Sequence, residues 1–144
     1  MTDREQRLTV ARTLNVPADE LYAAWTDPDV MRRWMGSRIE ADVRVGGEYR
    51  REIESEDGAR YVHRGLYRVL EPNRRIVQSF EVEGVEARPF ADEEVEVTFN
   101  PVSESQTELT LVDRWNGPPL SPNEEKAARA AWSEWIGRVE RLFE

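Results

Sequence analysis

The chain has no cysteine, a single histidine (His63) and a single lysine (Lys126) among its 144 residues. Without cysteine there is no disulfide framework, no thiol nucleophile and no zinc–thiolate site. One histidine rules out a two-histidine metal site, and a catalytic triad could draw on His63 alone. Basic residues are the minority, 20 against 29 acidic, and the formal net charge is -9. That balance speaks against nucleic acid or an anionic membrane as the main partner, since both reward a basic face. No run approaches the ~18 apolar residues of a membrane span. The charged start Thr2-Asp3-Arg4-Glu5-Gln6-Arg7 lacks the apolar stretch of a signal peptide. The length suits one domain over residues 1–144, able to bury roughly two-thirds of its unfolded surface. The expectation is a soluble, cytoplasmic domain without a cofactor. The preference for arginine over lysine reads as codon usage and points to no function.

What is present is an ordered series of elements. Arg7 to Leu14 alternates polar with apolar residues, the pattern of a half-buried strand. Pro17 suits the first turn of a helix whose apolar face is Leu21, Ala24 and Trp25. Asp27-Pro28 starts a second helix carrying Val30, Met31, Trp34 and Met35, with Gly36 placed to close it. Strands are predicted over Ile39–Val43, Glu48–Ile53, Tyr61–Leu70, Arg75–Val82, Glu94–Phe99 and Thr107–Trp115. Gly46-Gly47 and Asp57-Gly58 mark turns between them, and Gly65 marks a bulge or sharp bend inside the third. Glu83 to Asp92 reads as a loop. Ser121-Pro122-Asn123-Glu124 is a capping box with proline at the first helical position. It opens a long C-terminal helix whose Ala128, Trp132, Trp135, Val139 and Leu142 form one apolar stripe, with Ile136 and Phe143 beside them. Strands joined by tight turns make an antiparallel sheet, and a tryptophan-rich helix needs a surface to bury against. The fold class is α+β: a curved antiparallel sheet wrapped around one long C-terminal helix, with two short helices after the first strand.

Alternation also assigns faces. Tyr49, Arg51 and Ile53 share one face, as do Tyr61, His63, Gly65, Tyr67 and Val69. Ile76, Gln78, Phe80 and Val82 form a third set, and Leu109, Leu111, Asp113 and Trp115 a fourth. If each apolar set faces the helix, Arg51, His63, Gln78 and Asp113 come with them. A buried polar group costs several kcal/mol unless paired, which leaves two explanations open. The four could be the polar end of a ligand pocket walled by Trp25, Trp34, Tyr49, Tyr67, Phe80, Phe99, Trp132, Trp135 and Ile136. They could equally be a satisfied network, with Arg51 paired to Asp113 and His63 bonded to backbone, and the tryptophans simply core. His63 is the one general-base candidate, with Asp113 to orient it. No nucleophile elbow, phosphate loop or metal-ligand spacing accompanies it, so no catalytic residue is assigned.

Several stretches resemble a known family. Ala24-Trp25-Thr26-Asp27-Pro28, Arg33-Trp34-Met35-Gly36 and Asp42-Val43-Arg44-Val45-Gly46-Gly47-Glu48-Tyr49 are similar to the start of the activator of heat-shock-protein-90 ATPase homologue family. Gly65-Leu66-Tyr67-Arg68-Val69-Leu70-Glu71-Pro72-Asn73-Arg74-Arg75-Ile76-Val77 resembles its middle motif. Thr107-Glu108-Leu109-Thr110-Leu111 and the tryptophan-bearing helix resemble its end. The resemblance implies the START-like (SRPBCC) superfamily and its helix-grip fold, with a cavity between sheet and helix. Relatives include co-chaperone domains, lipid and hormone carriers and polyketide cyclases. The eukaryotic activator has an added N-terminal domain for which this chain has no room. The functional expectation is therefore a binding protein for a small apolar or amphipathic molecule, entered beside the 83–92 loop and the two short helices. The alternatives are a protein-interaction domain with a chaperone-like partner, and a cyclase-like enzyme using His63 and Arg51. Monomer and homodimer both remain open.

Overall fold

The computed structural model describes residues 5–36, 38–54, 58–84 and 90–144. The Asp57-Gly58 turn and the 83–92 loop fall partly on residues 55–57 and 85–89, outside the described residues, as do residues 1–4 of the charged start. The alternating N-terminal segment forms β1 (Glu5–Leu14), followed by α1 (Ala18–Thr26) and α2 (Pro28–Trp34). Pro17 is the N-cap of α1. Asp27 serves both helices: its N–H closes α1 on the Ala23 carbonyl, and its carboxylate accepts from the Asp29 N–H at 3.0 Å to open α2. The second helix stops at Trp34 with Met35 as its cap, just short of Gly36. Gly36 serves another purpose. A Cβ there would lie 2.4 Å from the Glu52 carbonyl oxygen, so its bare backbone lets the chain pass against the neighbouring strand.

The remaining elements are β2 (Arg38–Ala41), β3 (Glu48–Glu54), β4 (Arg60–Glu71), β5 (Arg75–Ser79), β6 (Glu81–Glu83), β7 (Ala91–Pro101), β8 (Thr107–Asn116) and α3 (Pro122–Leu142). Antiparallel pairing gives one sheet in the order β1-β8-β7-β5-β4-β3-β2, with β6 added beside β4. The class is the predicted α+β, with two short helices after the first strand and one long helix at the end.

The structure departs from the sequence reading at three places. The β2 strand ends at Ala41, short of Val43. The strand predicted over 75–82 breaks at Phe80 into β5 and β6, which pair with different parts of β4. Gly65 is the reason. A Cβ on it would sit 2.1 Å from the Ser79 carbonyl oxygen, so only glycine admits this crossing. Ser79 then fixes the crossing by accepting the Leu66 N–H on its hydroxyl at 2.8 Å. Finally, the β4–β5 register shifts between Tyr67 and Val69. The bulge turns Leu70, opposite Ile76, toward the core, where strict alternation from Tyr67 had pointed Val69.

α3 is capped as predicted, with the Ser121 N–H donating to Glu124 Oε1 at 2.8 Å and the Glu124 N–H to Ser121 Oγ at 3.2 Å. Three arginines strap it across the sheet. Arg129 donates to the Thr9 carbonyl at 2.7 Å and Arg12 to the Ser133 carbonyl at 3.4 Å on the β1 side, while Arg138 donates to the Glu54 carbonyl at 3.2 Å on the β3 side. Burial is confined to its later half, at Trp135, Ile136, Gly137 and Val139, whereas Pro122 to Ala127 are exposed.

On the face away from the core, Glu96 of β7 bridges Arg75 of β5 and Arg114 of β8. Burial alone would raise the Glu96 carboxyl, but the hydrogen bonds from both arginines outweigh it and hold the group below its ordinary range. A depressed folded value contributes stability that is present above the unfolded value and lost as pH falls through the folded one. Two outcomes are expected in urea titrations. Gly65→Ala should destabilise by about 1–3 kcal/mol through the clash with Ser79. Glu96→Gln should lower stability near neutral pH and flatten its decline below about pH 4.5, leaving variant and wild type closer at pH 3 than at pH 7.

Candidate functional site

Because only the later half of α3 packs, its earlier half stands over the sheet and leaves a cleft of about 610 Å³. Sheet residues Leu8, Tyr61, His63, Phe80, Val82, Asp113 and Trp115 line one side. Glu124, Ala127, Ala128, Ala131, Trp132 and Trp135 of α3 line the other, and Phe90 with Pro118-Pro119-Leu120 complete it. The helix presents alanines at its standing-off end, which keeps the space open. Two other concavities, of about 850 and 1100 Å³, are larger. Their linings are dominated by charged side chains such as Arg32, Arg38, Arg60 and Glu52 in one and Arg44, Arg50, Glu48 and Glu81 in the other. The aromatic cleft has the chemistry of a small-molecule site, being apolar with a few placed polar groups.

Ring contacts make the cleft wall continuous. The His63 ring lies 4.6 Å from Phe80, 5.4 Å from Trp135 and 5.3 Å from Tyr61, centroid to centroid, and Phe80 lies 5.6 Å from Trp132. Phe90 stacks on Trp115 at 4.3 Å and 15°. At the base, the Trp132 indole N–H donates to Asp113 Oδ2 at 3.2 Å, holding the ring and the carboxylate together. The Trp115 indole N–H is turned to the Pro118 carbonyl at 3.2 Å. Its ring thus belongs to the lining and its polar atom to the wall.

The four inward polar residues are all buried, and they divide into two groups. His63 and Asp113 line the cleft. Arg51 and Gln78 lie behind it, in the packed core. Arg51 is opposite His63 in the β3–β4 register and Gln78 opposite Tyr67 in the β4–β5 register. The Arg51 guanidinium rests 4.4 Å over the Tyr49 ring, and its Nη2 reaches Gln78 Oε1 at 3.5 Å. Among the described residues no carboxylate lies within ion-pair distance of it, and its Nε has no hydrogen-bond partner. The Tyr49 hydroxyl donates to the Ser79 carbonyl at 2.6 Å. Burial pushes that phenol well above its ordinary value, against the opposing pull of the Arg51 charge, so it stays a neutral donor.

The predicted apolar walls also divide. Phe80, Trp132 and Trp135 line the cleft. Trp25, Trp34, Tyr67, Phe99 and Ile136 belong with Tyr49 to the packed core. Trp34 donates its indole N–H to the Ala24 carbonyl at 2.8 Å and touches both Trp25 and Trp135. Sequence reasoning did not list Leu8, Tyr61, Phe90, Trp115 or Pro118 to Leu120 as liners. Tyr61 and Trp115 were legible from alternation alone, since they share faces with His63 and Asp113. The others depend on where the loops return. The described residues contain no cluster of three or more potential metal ligands, and no described helix is long and apolar enough to cross a membrane.

Comparison with solved structures returns the same architecture. Protein CV1439 from Chromobacterium violaceum superposes with a TM-score of 0.73 at 22% identity, covering 94% of this chain and 96% of that one. The Mll3558 protein from Rhizobium loti gives 0.71 at 21% identity, with 98% and 99% covered. The Aha1 dimer from Colwellia psychrerythraea gives 0.72 at 14% identity, with 94% and 93% covered. At these identities the likeness establishes fold. No curated protein matches the sequence. The family model for Activator of Hsp90 ATPase homolog 1-like protein, however, matches residues 15–144, from the last residues before α1 through the end of α3. The chain belongs to the Activator of Hsp90 ATPase homolog 1-like family.

Proposed function

We propose that the protein binds a small apolar or amphipathic molecule in the cleft between the sheet and the standing-off half of α3. The observation that carries this reading is the cleft itself: about 610 Å³, walled by six aromatic rings, with the buried Asp113 and His63 at its polar end. Small-molecule sites occupy roughly 300–1,000 Å³ with this balance of apolar wall and placed polar groups. Arg51, Gln78, Tyr49 and Tyr67 act behind the wall, as a rigid support for His63 and Phe80.

The neutral fluorophore N-phenyl-1-naphthylamine tests this reading. Wild-type protein should enhance its emission saturably. Ala128→Trp fills the cleft from a half-buried helix position and should weaken the response by ~10-fold or more, with the thermal midpoint preserved. A wild-type protein that gives no saturable response overturns the reading.

A protein-facing role is the second reading, and one finding favours it: the similar Aha1 from Colwellia psychrerythraea is a dimer. In this chain β1 and β2 end the sheet order and are the edges on which a second copy could add strands. Sedimentation equilibrium at tens of micromolar should then show a dimer. A single monomer species removes this reading.

A further inference from the structure

The cleft wall is built mainly of rings, and rings recognise more than apolar area. Three of the chain's five tryptophans line it, Trp115 from the sheet and Trp132 and Trp135 from α3. His63 and Phe80 join the two α3 indoles through ring contacts inclined at 51° to 59°, so neighbouring rings meet face against edge. An aromatic face is negative at its centre and its edge is positive. A further flat ring in such a wall finds offset-stacked and edge-to-face positions, which contribute beyond the area they bury. A saturated body of the same size gains the area and nothing more. Resting on the binding function proposed above, we infer that the cleft selects a flat, fused-ring aromatic molecule over a saturated or chain-like one.

The three indoles are set in place by the protein itself. Trp132 is held by its N–H bond to Asp113 at 3.2 Å and Trp115 by its bond to the Pro118 carbonyl at 3.2 Å. Trp135 is gripped from behind, with the Trp34 ring at 5.1 Å and the Arg138 guanidinium 5.6 Å over its own ring. A wall ordered in advance costs little to organise on binding, and a rigid flat ligand has no rotors to freeze. An alkyl chain in the same space gives up several. The helix also leaves room for a ring beside the half-buried Trp132. Ala128 lies one turn earlier on the same face of α3 and places only a methyl group next to the indole.

Three neutral alcohols separate ring recognition from hydrophobicity: 2-naphthalenemethanol, its saturated counterpart decahydro-2-naphthalenemethanol, and 1-nonanol, each titrated by calorimetry up to its solubility limit. Hydrogenating the rings makes the body more apolar, so transfer from water alone ranks the saturated probes first. The expected order is the reverse, with the naphthyl alcohol at least ~5-fold tighter than either saturated probe. Trp132→Leu should bring the naphthyl-to-decahydro ratio close to one, while Trp132→Phe, which keeps a ring but loses the N–H, should retain most of it. Circular dichroism and the thermal midpoint confirm that each variant is folded; if Trp132→Leu does not fold, the wild-type order and the Trp132→Phe ratio decide. Equal affinities, a preference for a saturated probe, or an unchanged ratio in folded Trp132→Leu overturn the ring selection while leaving the binding function standing. The ring selection also falls if N-phenyl-1-naphthylamine binds and none of the three alcohols does. If the fluorophore and all three alcohols fail to bind, the binding function itself fails, and the selection with it.

Discussion

One helix cannot cover the concave face of this sheet. Seven strands in the main order span about 29 Å at ~4.8 Å spacing, whereas a helix with its side chains is ~10 Å across. The remaining apolar face must be covered by something else or be left as a cavity. α1 and α2 cover part of it, because Trp25 and Trp34 reach over to Phe99 and Trp135. The later half of α3 covers the middle through Trp135, Ile136 and Val139. What remains, beside the alanines of its earlier half, is the cleft.

The width mismatch also explains where the buried polar groups sit. Arg51, Gln78 and Tyr49 lie under the covered part of the face and turn their polar atoms toward one another or toward Ser79. Leaving such groups without partners would cost on the order of 1–3 kcal/mol each, so their contacts fix the strands they cross. His63 and Asp113 lie under the uncovered part. They are embedded in a wall of rings, and Trp132 of α3 donates its indole N–H to Asp113. The same inward-pointing pattern therefore gives a structural cluster on one side of Phe80 and a chemical surface on the other.

Much of the architecture was legible in the residues. Period-two alternation marks the strands, Asp27-Pro28 and the Ser121 to Glu124 box mark helix starts, and the apolar stripe of α3 marks the face it buries. The inward direction of Arg51, His63, Gln78 and Asp113 was legible too, since a strand has only two faces. The break at Phe80 and the reversal from Val69 to Leu70 were not. Both arise where β4 changes partner, and a change of partner leaves no trace in the alternation of either strand. Gly65 announced a bend, but its consequence appeared on the adjacent strand, at Ser79. The division of the aromatic residues was equally hidden. Trp34 and Trp132 look alike as members of apolar stripes; one is sealed between α1 and α3, and the other faces open space.

The sequence alone determined the kind of molecule this is: an antiparallel sheet with one long C-terminal helix, four polar residues on its inner face, and neither thiols nor a histidine pair with which to build a metal or redox centre. Those properties follow from local periodicity and composition, which each segment carries by itself. Only the tertiary structure decided which half of α3 touches the sheet, and hence which inward residues face a cavity. That choice is made by distant pairs, Arg12 and Arg129 to one side and Arg138 to the other, which set the position of the helix over the sheet. Periodicity gives a helix its buried stripe, but only contacts between distant segments set how far along that stripe the burial extends.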